Sequence, residues 1–238
     1  MNITKITRCT LVSFCIFACA ASLGHASESH NFMAVGRNEE GQLGDGTTTS
    51  LTAPVQVATG VSQVSAGGYH SLFLEGDGTL WAMGSNEEGQ LGDGTMTSRI
   101  EPVQVATGVS QISAGGFHSL FIKSDDTLWG MGWNSDGRLG DGTRTCRIEP
   151  VQVATNVAQV AAGNWHSLFV KNDGTLWAMG WNSDGQLGDG TSYTRIVPVQ
   201  VATGVSQVSA GGYHSLFIKS DGTLWAMGYN QFGQCGSS

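Results

Sequence analysis

Basic residues are scarce in this chain: 11 Lys and Arg stand against 19 Asp and Glu, for a net charge of −8. A nucleic-acid partner needs a basic footprint, so that class is not expected. Cysteine is equally uninformative as a framework. Of the five cysteines, Cys9, Cys15 and Cys19 fall in the first 26 residues, leaving Cys146 and Cys235 at unrelated positions. Two such thiols make neither a disulfide scaffold nor a metal cluster. No apolar run is long enough to span a bilayer, which takes about 20 residues. No stretch carries a helical period. Charge is low overall, at 13%, whereas disorder needs high charge with low hydrophobicity.

Glycine is what the chain has in excess, at 35 of 238 residues. That is about twice the usual share and implies many tight turns. Apolar residues reach 40%, so a substantial core is expected. The N-terminus reads as an export signal over residues 1–26. Lys5 and Arg8 begin it, residues 11–21 form a short apolar run, and Gly24-His25-Ala26 offers small residues at a cleavage site. The expected compartment is therefore secreted, periplasmic or cell-surface, with residues 27–238 as the mature domain. A lipoprotein anchored through Cys19 is a second option. No transmembrane span is expected.

One phrase organises the rest. "NEEGQLGDGT" begins at Asn38 and again at Asn86, "NSDGRLGDGT" at Asn134, "NSDGQLGDGT" at Asn182, and "NQFGQCGSS" closes the chain from Asn230. The asparagines are 48 residues apart, without a gap. This gives repeats 38–85, 86–133, 134–181 and 182–229, with partial copies at 30–37 and 230–238. A fixed period of this size marks a repeat architecture. Within one copy, residues 61–66 (VSQVSA) and 70–74 (HSLFL) read as strands. Asp77-Gly78 makes a tight turn, 79–83 (TLWAM) returns, and 54–57 (PVQV) supplies a fourth strand. Both faces of these strands are apolar, so each small sheet is expected to be sandwiched between neighbours. The fold class is all-β, a β-propeller-type repeat, with a β-solenoid as the alternative.

These residues resemble the regulator-of-chromosome-condensation repeat family. The resemblance rests on "GQLGDGT" and on "VSAGGYHSLFLEGDGTLWAMG" at 64–84 with its three later copies, and covers essentially residues 32–236. It implies a propeller, usually of seven blades. Nuclear members are nucleotide-exchange factors that use an inserted wedge and acidic loops; the equal-length copies here hold no insertion, so that activity is not carried over. The plant ultraviolet-B photoreceptor sets tryptophans among arginines, whereas Trp81, Trp129, Trp177 and Trp225 here share one core-strand position. Secreted bacterial propellers, including a β-lactamase inhibitory protein, grip targets with exposed loop aromatics.

Four complete copies cover little more than half of a seven-bladed circle, at about 51° per blade. Residues 32–36 align with 80–84, and 224–228 repeat that strand once more. Two ends that duplicate each other do not complement each other. The expectation is an open arc, or a strained four-blade ring, with self-association through free blade edges. Cys235 replaces leucine and Ser237 replaces aspartate where the fifth copy stops. This reads as a truncated or frameshifted gene more than an adapted cap.

Each chemical candidate has a structural reading beside it. His70, His118, His166 and His214 share one phase; the expectation is a tie to a neighbouring backbone rather than a metal ring. Asp45, Asp93, Asp141 and Asp189 in Gly-Asp-Gly-Thr read as turn-forming residues rather than calcium ligands. Asp126 replaces a hairpin glycine and would carry modest strain at positive φ. Serines follow the histidines directly, but neighbours on a strand face opposite ways and cannot act together. No catalytic residue, metal or cofactor is expected, and the chain is not expected to be an enzyme. Copies disagree mainly at 47–53, 96–101, 144–149 and 192–197, and at Ser85, Trp133, Trp181 and Tyr229. Trp133, Trp181 and Tyr229 are candidate binding-face aromatics, with blade packing as their alternative role. The expected function is an exported binding or scaffold module for a protein or glycan, or an inhibitor of one extracellular enzyme.

Overall fold

The computed structural model describes residues 30–236. Every regular element in it is a strand, joined to its neighbours in antiparallel meanders. β1 (His30–Gly36), β2 (Leu51–Ala66), β3 (His70–Glu75), β4 (Leu80–Gly84) and β5 (Arg99–Ala106) form the first sheet. β6 (Val109–Ala114), β7 (His118–Lys123), β8 (Leu128–Gly132) and β9 (Arg147–Ala154) form the second. β10 (Val157–Ala162), β11 (His166–Lys171), β12 (Leu176–Gly180) and β13 (Arg195–Ala202) form the third. β14 (Val205–Ala210), β15 (His214–Lys219) and β16 (Leu224–Gly228) form the fourth. β16 gains no outer strand among the described residues and its leucine face stays exposed, so the sheets make an arc and not a ring. The strained ring is thereby set aside.

The sheets do not coincide with the 48-residue repeats. The fourth strand of each complete blade comes from the following repeat, as Leu80↔Ala106 and Gly84↔Arg99 show for β4 and β5. β2 belongs to two blades at once. Its first half pairs with β1 (Gly36↔Leu51, Ala34↔Val55), and its second half pairs with β3 (Val61↔Glu75, Ala66↔Ser71). The expected strand at 54–57 is thus the start of a 16-residue strand that runs into the one expected at 61–66. The return strand begins at Leu80 and not Thr79, because Thr79 closes the hairpin: its amide is held by Asp77 Oδ1 at 2.9 Å.

Two of the turns in each repeat hold a left-handed residue that is not always glycine. Gly78, Gly174 and Gly222 adopt φ of +84°, +76° and +83° in the hairpin, and Asp126 takes φ +62° at the same place. The strain expected for Asp126 is therefore present, of order 1 kcal/mol. Gly60, Gly108 and Gly204 hold positive φ where the chain steps to the next blade, and Asn156 takes φ +58° there. Asn is the residue that tolerates this region best after glycine.

The core lies between blades. Leu72, Leu74, Leu80 and Ala82 of the first blade pack against Val109, Ile112, Phe121 and Met131 of the second. The same leucine-face against phenylalanine-and-methionine-face contact recurs at the next two junctions. All of His70–Leu74 is buried, which is why that strand is apolar on both faces. Burying one such leucine removes apolar area worth roughly 2 kcal/mol. The tryptophans at 81, 129, 177 and 225 are not core residues. Trp81, Trp129 and Trp177 are only partly buried at its margin, and Trp225 is 49% exposed. β16 has no outer neighbour among the described residues, and Leu224 on it is 66% exposed, against 0% for Leu80, Leu128 and Leu176.

Candidate binding face

The loops joining the inner two strands (67–69 and copies) and those leading to the outer strand (85–98 and copies) emerge at one end of every blade. What shapes them is the repeat asparagine. Asn86 is fully buried; its Nδ2 donates to Asp93 Oδ1 at 3.0 Å and to the Thr95 carbonyl at 3.1 Å, while its Oδ1 accepts from the Leu91 amide at 3.0 Å. Asn38, Asn134 and Asn182 repeat the pattern. One side chain thus satisfies groups across a ten-residue loop that has no ladder of its own.

The aspartates of Gly-Asp-Gly-Thr stand in these loops as turn-formers. Asp93 Oδ1 accepts from the Thr95 amide at 3.0 Å and the Thr95 hydroxyl at 2.7 Å, and Asp45, Asp141 and Asp189 do the same. Three also carry an ion pair: Asp93 with Arg99 and Asp141 with Arg147 at 2.6 Å, and Asp189 with Arg195 at 2.7 Å. Leu51 occupies the arginine position beside Asp45. Burial raises the Asp93 pKa, but the bonds from Thr95, Arg99 and Asn86 outweigh it and hold the carboxyl below its usual range.

The histidines staple blade to blade. His70 Nε2 lies 2.8 Å from Ser119 Oγ, His118 Nε2 2.8 Å from Ser167 Oγ, and His166 Nε2 2.8 Å from Ser215 Oγ. Each serine spends its own hydrogen on a carbonyl, as Ser119 does on Gln90 O at 2.7 Å. It must therefore accept from an Nε2–H, which leaves Nδ1 bare in each ring. Those three Nδ1 atoms are buried without a partner among the described residues. A Cβ at Gly67 would come within 2.7 Å of His70 Nδ1, so the glycine makes room for the ring. Burial alone lowers the His70 pKa to about 4. Burial, then the charges of His214 and Arg138, bring His166 to about 4. His118 is pushed well down by burial, Arg138 and its two neighbouring histidines. His214, in the last blade, is half-buried. The expected tie runs to a serine and not to backbone, and its partner is 49 residues away. Histidine and serine do meet, across blades and sealed from solvent, although neighbours within a strand do not. No group of three His, Cys, Asp or Glu capable of holding a metal occurs among the described residues.

Aromatic rings surface the face. Tyr69 stacks on Phe117 at 5.1 Å, Phe117 meets Trp133 at 5.3 Å, and Trp133 meets Trp165 at 5.9 Å. Trp165 reaches Tyr213 at 6.4 Å, Tyr213 reaches Tyr229 at 6.2 Å, and Tyr229 reaches Phe232 at 6.1 Å. The candidates Trp133, Trp181 and Tyr229 do not form a row by themselves. The row runs through the residues before each histidine, to which they are tied by backbone bonds: Trp133 N to Phe117 O, Trp181 N to Trp165 O and Tyr229 N to Tyr213 O, all 2.9 Å. Nor do they pack as core, since Trp133 and Tyr229 are half-buried and Trp181 is 36% exposed.

Arg138 is the singular residue of the face. It replaces the glutamine of Gln42, Gln90 and Gln186, and it is fully buried. Its guanidinium carbon lies 5.1 Å from the Trp133 ring and 4.9 Å from the Trp165 ring, in the angle between two indoles set at 70°. It pairs with Asp136 and donates to the Asn164 carbonyl at 2.8 Å. Burial lowers its pKa and Asp136 raises it, but a guanidinium stays charged.

Residues 7–238 match the RCC1-like domain family. The chain is a member of that family. Solved structures share the RCC1-like fold. Human WBSCR16 is 27% identical with a TM-score of 0.75, covering 86% of this chain and 59% of its own. Prp20p of Saccharomyces cerevisiae, studied with its binding to Gsp1p and histones, is 23% identical with a TM-score of 0.79, covering 90% and 56%. Yeast RCC1 bound to Kap60 is 21% identical with a TM-score of 0.77, covering 96% and 62%. This RCC1-like chain therefore spans about three fifths of the length of those proteins. No match to a curated protein sequence was found.

Proposed function

We propose that this RCC1-like arc is an exported binding module whose loop face recognises a protein or glycan. The observation that carries the reading is the continuous aromatic row over the blades, anchored by buried asparagines and interblade staples. Amphipathic rings on a rigid frame supply contact area at low entropic cost, which is what recognition surfaces use. Solved relatives are described by their binding to Gsp1p and histones or as bound to Kap60, which supports protein over glycan as the ligand. Export rests on the N-terminal pattern of Lys5, Arg8 and residues 11–21, which lies outside the described residues, as does Cys19. Among the described residues no helix is long and apolar enough to cross a membrane. The buried His–Ser pairs reach no solvent, which favours binding over catalysis.

Capture from an extracellular fraction tests the reading. The wild-type protein is expected to retain a partner that the Trp133→Ala/Trp181→Ala/Tyr229→Ala variant loses. One stoichiometric enzyme would identify an inhibitor; several surface components would identify a scaffold. Equal capture by both proteins overturns the role of the face. A reporter fused to residues 1–30 that stays cytosolic overturns export.

A further inference from the structure

Blades that radiate from a centre splay apart toward their outer strands, and a cleft opens between them there. One such cleft, of about 470 Å3, lies between the second and third blades. Gln152, Val153 and Thr155 line it from the second blade, and Phe169, Lys171 and Trp177 from the third. Lys171 and Trp177 flank the hairpin joining β11 to β12, so the cleft stands at the end of the blade away from the aromatic loop face. Another, of about 540 Å3, is lined 48 residues on by Gln200, Val201, Thr203, Phe217, Lys219 and Trp225. Both volumes fall within the roughly 300–1,000 Å3 of small-ligand sites. Phe169 and Trp177 are paired across strands with their rings 6.3 Å apart and 4° from parallel, which gives the cleft a flat aromatic wall. Lys171 Nζ is set over that wall, 4.7 Å from the Trp177 ring. The lysines of the described residues, Lys123, Lys171 and Lys219, all occupy this one position. Lys171 makes no hydrogen bond and no ion pair among the described residues, so the three donors of its ammonium are unspent. Asp173 feels its charge, but accepts at Oδ1 from the amide and hydroxyl of Thr175. No Asp or Glu lines either cleft.

From this we infer that the interblade cleft binds a small ring-bearing carboxylate. The carboxylate pairs with the Lys171 ammonium, the ring of the ligand lies against the wall of Phe169 and Trp177, and the exposed Gln152 amide and Thr155 hydroxyl bond its remaining polar groups. The net charge of −8 repels a polyanion, which restricts the site to a ligand with a single acid group. The first two blades offer the same residue types in Gln104, Thr107, Phe121, Lys123 and Trp129, with Lys123 Nζ 4.5 Å from the Trp129 ring. Glu75 stands in the lysine position beside Trp81, so the junction before that one does not suit an acid. This site is independent of the loop-face reading above.

The probes are phenylacetate and glucuronate, each beside an uncharged counterpart, phenylacetamide and glucose, titrated into the 15N-labelled full chain. The readout is the indole N–H resonance of Trp129 and of Trp177, whose Nε1 atoms are fixed on Thr127 and Thr175 at 2.8 and 2.9 Å. At least one acid is expected to move both resonances and to saturate by about 10 mM, tenfold above a Kd of about 1 mM. It should bind at least tenfold more tightly than its uncharged counterpart. A response to phenylacetate alone identifies an aromatic acid, to glucuronate alone a uronic sugar, and to both the shared carboxylate. Lys171→Met keeps the length of the side chain without its charge. It should weaken binding at Trp177 at least tenfold while Trp129 responds as before, which also shows that the variant is folded. Silence of both resonances toward both acids, equal binding of acid and uncharged counterpart, or an unchanged Trp177 response in Lys171→Met overturns the inference.

Discussion

Lowering the pH from 7 to 5 puts the interblade staples under direct load. His70 and His166 titrate near 4 in the folded chain, against an ordinary value of 6.5. The unfolded chain therefore binds more protons between those limits, and the folded state loses stability as pH falls through that window. Above about 6.5 the penalty is absent; below about 4 it is complete for these two groups. Each contributes about 1.4 kcal/mol per pH unit and about 3 kcal/mol in all. His118 adds in the same direction. Together that is comparable to the whole stability of a typical domain, 5–15 kcal/mol. The aspartates, whose unfolded pKa lies lower, contribute mainly below about pH 5 and leave the upper part of the window to histidine. The assay is the urea midpoint followed by tryptophan fluorescence at half-unit steps from pH 7.5 to 4.5. The midpoint should fall steadily below pH 6.5. The control is His70→Gln with His166→Gln, which keeps a donor for Ser119 and Ser215 but cannot titrate; its profile should be shallower throughout. A wild-type midpoint that stays flat from pH 7 to 5 would refute the argument.

Arg138→Gln restores the residue of the other repeats and should change stability by less than about 1 kcal/mol, whereas Asp136→Asn strands a buried guanidinium and should cost about 2–3 kcal/mol; the two urea midpoints compare them. Asn86→Ala removes the centre of its loop and leaves the Leu91 amide unpaired, so a loss of about 3 kcal/mol is expected by thermal denaturation. Asp126→Gly relieves the left-handed strain and should stabilise by about 0.5–1 kcal/mol, seen as a higher Tm; a lower Tm would show that the Asn172–Asp126 bond at 2.8 Å matters more.

Strands and hairpins were readable because each rests on local chemistry: apolar runs closed by Asp-Gly and Gly-Gly. Partnership between distant segments was not. Nothing local says that residues 54–57 join the preceding blade, since the same alternation would pair on either side. The His70–Ser119 contact spans two repeats and was invisible for the same reason. In contrast, Arg138 left a signal, as the one departure from glutamine at positions 42, 90, 186 and 234. The aromatics at 69, 117, 165 and 213 left one too. They vary among Tyr, Phe and Trp inside a constant frame, which is how a surface position differs from a packed one. The tryptophans of the return strand mislead because their size suggests burial; Lys123, Lys171 and Lys219 lie instead over the rings of Trp129, Trp177 and Trp225, at 4.5, 4.7 and 4.7 Å.

The sharing of each blade between two repeats bears on how such a chain changes length. The seam between copies falls at the repeat asparagine, in a loop between the third and fourth strands. Duplicating or deleting 48 residues there adds or removes one whole junction. The strands of the remaining junctions keep partners of the same register, and each histidine followed by another blade still meets a serine 49 residues ahead. Recombination at the seam can thus lengthen or shorten the arc by single blades without opening a ladder. Each new copy arrives with its own surface ring before the histidine, free to diverge as Tyr69, Phe117, Trp165 and Tyr213 have.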